Sequence, residues 1–303
     1  MKKLLKDISV FILMPVVVII ATWLMYYYRV EHSSFNKGIS IVICGDSHTE
    51  SGINDSILLH SINISNSSEH YLYTYSILNH ILKHNTQIKT ILLGCSFHSF
   101  HQNYDNYLFE EEKAQGMYLR YLPLLDAEFI AKIALKNGSG MVKSASTIYD
   151  KMFSSILHHS TSYLDYPFTG RYYKSSKSNL NDTTINKSVK RHYYKENGEE
   201  QGFSAYQKYY LNKIVDLCQQ QKVRLVIINT PLSKAYYAKI PEKFINDYYA
   251  YISSIQQRIA FLDFHTLDFD MKCYGDGDHL NALGAGLFSI KVDSVLNVLQ
   301  GGQ

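Results

Sequence analysis

Cysteine is scarce. The four in 303 residues, Cys44, Cys95, Cys218 and Cys273, form no CxxC pair. That excludes a disulfide-built scaffold and the usual zinc-finger and thioredoxin spacings, and no essential disulfide is expected. Tryptophan occurs once and proline five times. With only 16 glycines, collagen-like and proline-rich low-complexity chains are excluded as well. Charge is also thin: 19% of residues are charged and the formal net charge is +3. This is too mild for the concentrated basic face that nucleic acid requires. No period of 20–50 residues marks a solenoid. What is plentiful is apolar side chain, 46%, and tyrosine, 26 residues. Such a composition suits a folded body of one large domain or two small ones and excludes a mainly disordered chain.

The longest uncharged run is Ile8–Tyr28. As a helix it would be roughly 31 Å long, about the thickness of a bilayer's hydrocarbon layer. Lys2, Lys3 and Lys6 precede it, and Trp23, Tyr26, Tyr27 and Tyr28 stand at its far end, where aromatic rings favour the water–lipid boundary. Pro15 lies within it, which lipid-embedded helices tolerate. The alternatives are a cleaved signal and a buried core helix; the run is long for a signal, and Thr22-Trp23-Leu24 after Ala21 makes a poor cleavage site. The expectation is an anchor within residues 1–29, with the lysine flank in the cytoplasm and residues 30–303 outside. In a bacterium that means the inner membrane, with the body in the periplasm.

The body alternates strand and helix. Ile39–Cys44, Ile88–Gly94, Arg224–Asn229 and Ile259–Phe264 are short apolar runs suited to strands buried on both faces of a parallel sheet. His60–Ser65 is a further candidate strand. Helical spacing marks 70–84, 205–221, 244–257 and 282–299. The pattern predicts an α/β domain with helices on both faces. From about 104 to 203 it weakens. Ala127–Leu135 and Ser144–His158 have helical character, and 168–200 is polar without clear period. This region is expected to be a large insertion or cap carried by the sheet, where substrate selection resides.

Two short motifs carry the candidate chemistry. Gly45-Asp46-Ser47-His48-Thr49 follows the first strand, at the edge where open α/β sheets place ligands. Asp276-Gly277-Asp278-His279-Leu280-Asn281 follows the last strand and opens the final helix. A histidine there can take a proton from a serine, and a carboxylate three residues earlier can orient the imidazole. Each alone also reads as ordinary turn or cap composition. Together they bracket one sheet edge, as a serine hydrolase site requires.

On these residues the chain resembles the SGNH (GDSL-type) hydrolase superfamily. Gly45-Asp46-Ser47 matches its first block and Asp276-x-x-His279 its last. Leu280-Asn281 with Gly284 is similar to the membrane-anchored cell-envelope members of the alginate O-acetylation and D-alanyl transfer type. The resemblance covers about 39–100 and 204–299. It implies a flavodoxin-like three-layer αβα fold, a Ser47–His279–Asp276 triad and a multispan acyltransferase partner. The superfamily usually takes oxyanion donors from a Gly in its second block and an Asn in its third. Here those regions read Asn63-Ile64-Ser65-Asn66-Ser67-Ser68 and Gly94-Cys95-Ser96-Phe97-His98. The Ser47 backbone N–H remains, with Asn66 and Ser96 as weak side-chain candidates and Asp46 beside them in the turn.

His98, His101 and Asp105 could be drawn as a metal site, but His-x-x-His after a strand lacks the spacing of a helical zinc pair, and no metal or cofactor is expected. Asp278, adjoining His279, is expected to point elsewhere. His158-His159 is expected to end a helix. Tyr163, Tyr166, Tyr172, Tyr173, Tyr193 and Tyr194 could stack on sugars or simply cover a half-buried surface. The expected function is a membrane-anchored serine ester hydrolase or O-acyltransferase acting on an envelope glycan, glycolipid or acylated small molecule. Its rival is a non-catalytic binding or scaffold domain that kept the fold.

Overall fold

The computed structural model describes residues 34–157 and 175–301, and positions 13, 14, 16–22, 24, 25 and 28. The lysine flank, Pro15, Trp23, Tyr26, Tyr27, Arg29, His158, His159 and the tyrosines at 163, 166, 172 and 173 lie outside the described residues. The described positions between 13 and 28 are helical, and Leu13, Met14 and Ile20 among them expose their side chains.

The elements run β1 (Ile41–Cys44), α1 (Ser47–Gly52), β2 (Ser61–Asn63), α2 (Tyr71–His84), β3 (Thr90–Gly94), α3 (Asn103–Tyr107), α4 (Glu111–Tyr121), α5 (Ala127–Leu157), α6 (Asp182–Tyr193), α7 (Ala205–Gln220), β4 (Arg224–Asn229), α8 (Lys234–Tyr237), α9 (Glu242–Ile255), β5 (Ala260–Asp263) and α10 (Ala282–Gly301). The five strands form one sheet, every pairing parallel, in the order β2-β1-β3-β4-β5. The chain therefore steps outward from β1 to β2, then back across to β3. That reversal leaves a crevice at the carboxyl ends of β1 and β3, the place where doubly wound sheets hold ligands.

Alternation along the strands sorts the core into two faces. Ile41, Ile43, Leu92, Val226 and Ile228 meet Phe288, Val292 and Leu296 of α10 on one side. The alternate residues, Val42, Ile91, Leu93, Leu225 and Ile227, turn to the other. There α2 and α7 pack together, and Tyr248 of α9 meets Phe261 with ring centroids 6.2 Å apart. The result is the three-layer α/β architecture expected. Helix α10 is apolar enough over Ala282–Leu299 to cross a membrane by length and composition, but its inward stripe is spent on the sheet.

The chain divides into two compact units, 35–108 with 168–303, and 1–34 with 109–167. The second contains a helical hairpin, α4 against α5, whose core includes Tyr118, Tyr121, Phe129 and Ile133. The two helical stretches expected at 127–135 and 144–158 form one element, broken at Asn137, where φ is −147° and ψ is 52°. Within the expected insertion at 104–203, residues 109–167 fall in the second unit and α6 in the unit of the sheet.

Candidate active site

Strand β1 delivers the serine through a tight turn. Gly45 has φ +136°, a conformation that L side chains rarely adopt. Asp46 then caps α1, its Oδ1 accepting from the His48 N–H at 3.0 Å. Ser47 becomes the first helical residue, half-buried at the carboxyl edge of the sheet. The turn is seated tightly: a Cβ on Gly94, at the end of β3, would stand 2.5 Å from Thr49 Cγ2.

The histidine comes from the loop before α10. Asn281 ties down that loop, its Oδ1 accepting from the Leu283 and Gly284 N–H groups at 3.0 Å each and its Nδ2 donating to Lys272 O at 2.7 Å. Gly284 is required here, because a Cβ would lie 2.2 Å from Cys273 O. The Leu-Asn-x-x-Gly extension is therefore the device that docks α10. Asp276 Oδ1 accepts from the His279 N–H at 3.0 Å and from its Nδ1 at 2.9 Å. His279 Nε2 stands 2.7 Å from Ser47 Oγ. Burial opposes the charge on Asp276, but the hydrogen bond and charge of His279 outweigh it and hold the carboxyl below its ordinary value. An ionised Asp276 is an acceptor, which assigns the proton to Nδ1 and leaves the Nε2 lone pair for the serine hydroxyl. The three residues, 232 positions apart at the extremes, are arranged as a serine–histidine–aspartate relay requires.

This geometry sits at the switch point of a 2-1-3-4-5 parallel sheet, carried by Gly-Asp-Ser and Asp-x-x-His blocks. The fold is a doubly wound three-layer α/β sheet, as the resemblance of those blocks implied. One protein-family model matches residues 144–298, a span that includes Asp276 and His279 but not Ser47. Among solved structures, the chain is similar to a protein of Streptococcus pneumoniae assigned as a platelet activating factor, with 12% identity and TM-score 0.43, covering 96% of this chain and 99% of that one. It is also similar to a protein of Bacteroides fragilis assigned as an acylhydrolase (9%, TM-score 0.40, 90% and 93% covered). A third is a GDSL-like lipase of Bacteroides thetaiotaomicron (7%, TM-score 0.42, 91% and 98% covered). No curated protein matches in sequence.

Around Ser47, His279 and Asp276 lies a buried layer that sequence spacing did not foretell. Asp46, one of the weak substrate-binding candidates, is instead a hub. Besides the cap, its Oδ2 accepts from His98 Nε2 and from the Tyr104 hydroxyl, each at 2.8 Å. Burial opposes its ionisation, but the charge of His98 and the bonds from His48 and His98 hold it well below the ordinary carboxylate value. A carboxylate so occupied is no oxyanion donor. Asn66 lies beside the turn, its N–H donating to Gly45 O at 3.0 Å. Ser96 is buried after β3, its N–H donating to Ser99 Oγ at 2.9 Å. Asn63, in the region that lacks the expected Gly, donates to Thr49 O and Ile53 O and so steadies the end of α1.

Asp278 does not point away from the site. Fully buried, it faces His48 Nε2 at 3.4 Å, Arg191 Nη2 at 3.4 Å, His192 Nδ1 at 3.5 Å and His279 Nδ1 at 3.5 Å. Helix α6, which brings Arg191 and His192, arises from the polar stretch without clear period. Its signal was the Asn181–Thr184 capping box followed by buried Ile185, Val189 and Tyr193 four residues apart. Burial lowers the basicity of His98, His101 and His192. His98 and His101 do not join Asp105 in a metal site. Asp105 instead bonds the Ser204 hydroxyl and faces His70 at 3.5 Å. Two other groups, Asp46 with His48 and His98, and His48 with Asp278 and His279, bring possible ligand atoms within 4.8 Å. Asp46 already accepts three donors, and His279 Nδ1 is engaged by Asp276. A pocket of about 640 Å3, lined by Lys89, Lys222 and Arg224 among others, lies at the amino ends of the strands, away from this site.

Proposed function

We propose that the chain is a membrane-anchored serine ester hydrolase or O-acyltransferase of the cell envelope, acting on an acylated glycan, glycolipid or small molecule. The 2.7 Å approach of Ser47 Oγ to His279 Nε2 carries this reading. Ser47 Oγ attacks the acyl carbonyl while its proton passes to His279. The imidazolium, steadied by Asp276, then protonates the departing alcohol, leaving an acyl-serine. Water or a sugar hydroxyl next attacks that ester, its proton passing to His279, and Ser47 is released. The Ser47 N–H, in the first turn of α1 and so without an intrahelical acceptor, is the donor available to the developing oxyanion. The anchor at residues 8–28 is supported by the lysine flank and the uncharged run, and it favours a membrane-embedded acyl donor protein as partner.

The test is turnover of a small acetyl ester by the purified full-length chain, alone and with sugar hydroxyl acceptors. Ser47-dependent release of acetate supports hydrolysis, and acetyl appearing on the acceptor supports transfer. The absence of the family's usual Gly and Asn donors favours a second reading, a binding domain that retains the fold. Lack of turnover and of any covalent serine adduct would establish that reading instead.

A further inference from the structure

His48 is 3% exposed, and neither ring nitrogen makes a hydrogen bond within ordinary limits. Each instead faces a carboxylate oxygen: Nδ1 lies 3.5 Å from Asp46 Oδ1, and Nε2 lies 3.4 Å from Asp278 Oδ2. Either neutral tautomer would aim one lone pair at a carboxylate, and only the doubly protonated ring offers a donor to both. The ring also stacks on His279, with centroids 4.7 Å apart and planes 18° from parallel. His98 closes the other side at 4.2 Å, and His192 stands at 6.1 Å.

We propose that His48 is a buried imidazolium clamp, tying Asp46, the cap of the nucleophile's helix, to Asp278, the carboxylate beside the base, while its flat face fixes the ring of His279. It touches no reacting atom and is a positioning residue; only its effect on turnover rests on the acyl-transfer reading above. Charge balance argues the same way. Asp46 and Asp278 are buried carboxylates, burial lowers the basicity of the neighbouring His98 and His192, and Arg191 reaches Asp278 at 3.4 Å with its side chain 44% exposed. Buried charge persists only when paired. A divalent ion on one ring nitrogen would leave the other N–H to the second carboxylate, so the metal content of the purified chain separates that arrangement from the clamp. Burial disfavours charge on His48, yet the Asp278 and Asp46 carboxylates facing its two nitrogens raise it from the ordinary imidazole value to about 10.

The experiment is nitrogen-15 NMR of the full-length chain in detergent, labelled at histidine, with His48→Gln used to assign the resonance. The clamp predicts that both His48 ring nitrogens carry protons from about pH 7 to about pH 9, with the second proton lost as pH approaches 10. It further predicts that His48→Gln lowers kcat by about tenfold or more with little change in KM, as misplaced reacting groups do. A singly protonated His48 ring near neutral pH, a stoichiometric divalent metal in the purified chain, or an unchanged kcat in His48→Gln would overturn it. Should the variant not fold, the wild-type spectrum decides through its one permanently doubly protonated ring. Should Ser47 accept no acyl group, the spectrum still decides the clamp, so the two readings fail separately.

Discussion

Replacing Gly94 by Ala tests how the sheet aims the serine. The new Cβ would lie 2.5 Å from Thr49 Cγ2 and 2.9 Å from Thr49 Oγ1. Carbon atoms pack at about 3.5–4.0 Å, so relief requires a shift of about 1 Å. Thr49 is fully buried and two residues from Ser47 on the same short helix, so α1 must carry the shift. Overpacking of this kind costs about 1–3 kcal/mol, which corresponds to about 4–8 °C in Tm for a loss of about 2 kcal/mol in a domain of this size. A 1 Å displacement of a nucleophile can cost about 10²-fold in rate. Thr49→Ala removes both clashing atoms while losing the hydroxyl bond to Asp46 O at 3.1 Å, worth about 1 kcal/mol. Thermal melts and ester turnover of wild type, both single variants and the double variant form a double-mutant cycle. Gly94→Ala should be the most damaged, and adding Thr49→Ala should recover most of the loss. The reasoning is refuted if Gly94→Ala melts and turns over like wild type, or if the double variant is no better than Gly94→Ala.

Asp46→Ala strands the His48 N–H, His98 and Tyr104 at once, and should cost about 4 kcal/mol, the sum of a lost cap and stranded buried partners. Because the folded state holds Asp46 below its ordinary value of 3.8, that stabilisation is present above it and is lost as pH falls through the lowered folded value; denaturant melts should therefore show the gap to wild type narrowing in acid, and a pH-independent gap would count against the account. All four cysteines are free and buried, so reductant should leave Tm unchanged, and a fall of several degrees would expose a missed bridge. A reporter fused after Gln303 should be active only outside the cytoplasm, with a cytoplasmic signal overturning the proposed topology.

Much of the sheet was legible because β1, β3 and β4 are buried on both faces and read as continuous apolar runs, while the half-buried edge strand β5 carries the short apolar run Ala260-Phe261-Leu262. Helices α2, α7, α9 and α10 announced themselves by an apolar stripe. Ser47, Asp276 and His279 were legible because two of them share one loop and the third follows the turn after β1, so topology alone brings them together. The rest of the layer was not. His98, Arg191 and His192 reach Asp46 and Asp278 across 52 to 87 positions, and no local period encodes such contacts. Asp278 was misjudged from its adjacency to His279. The loop closed by the Tyr274–Leu280 bridge instead turns its carboxylate inward, toward His48 and Arg191. Helix α4 and the hairpin it forms were missed because Glu111-Glu112-Lys113 gives the helix a polar start.

The central claim is that Ser47 is a nucleophile activated by His279, and covalent labelling tests it most directly. The purified full-length chain would be treated with a fluorophosphonate, digested, and the adduct located by mass spectrometry. The account predicts one adduct, on Ser47, absent in Ser47→Ala, nearly abolished in His279→Ala and slowed less in Asp276→Asn, whose base survives with poorer orientation. No adduct on Ser47, or labelling as fast in His279→Ala as in wild type, would contradict it.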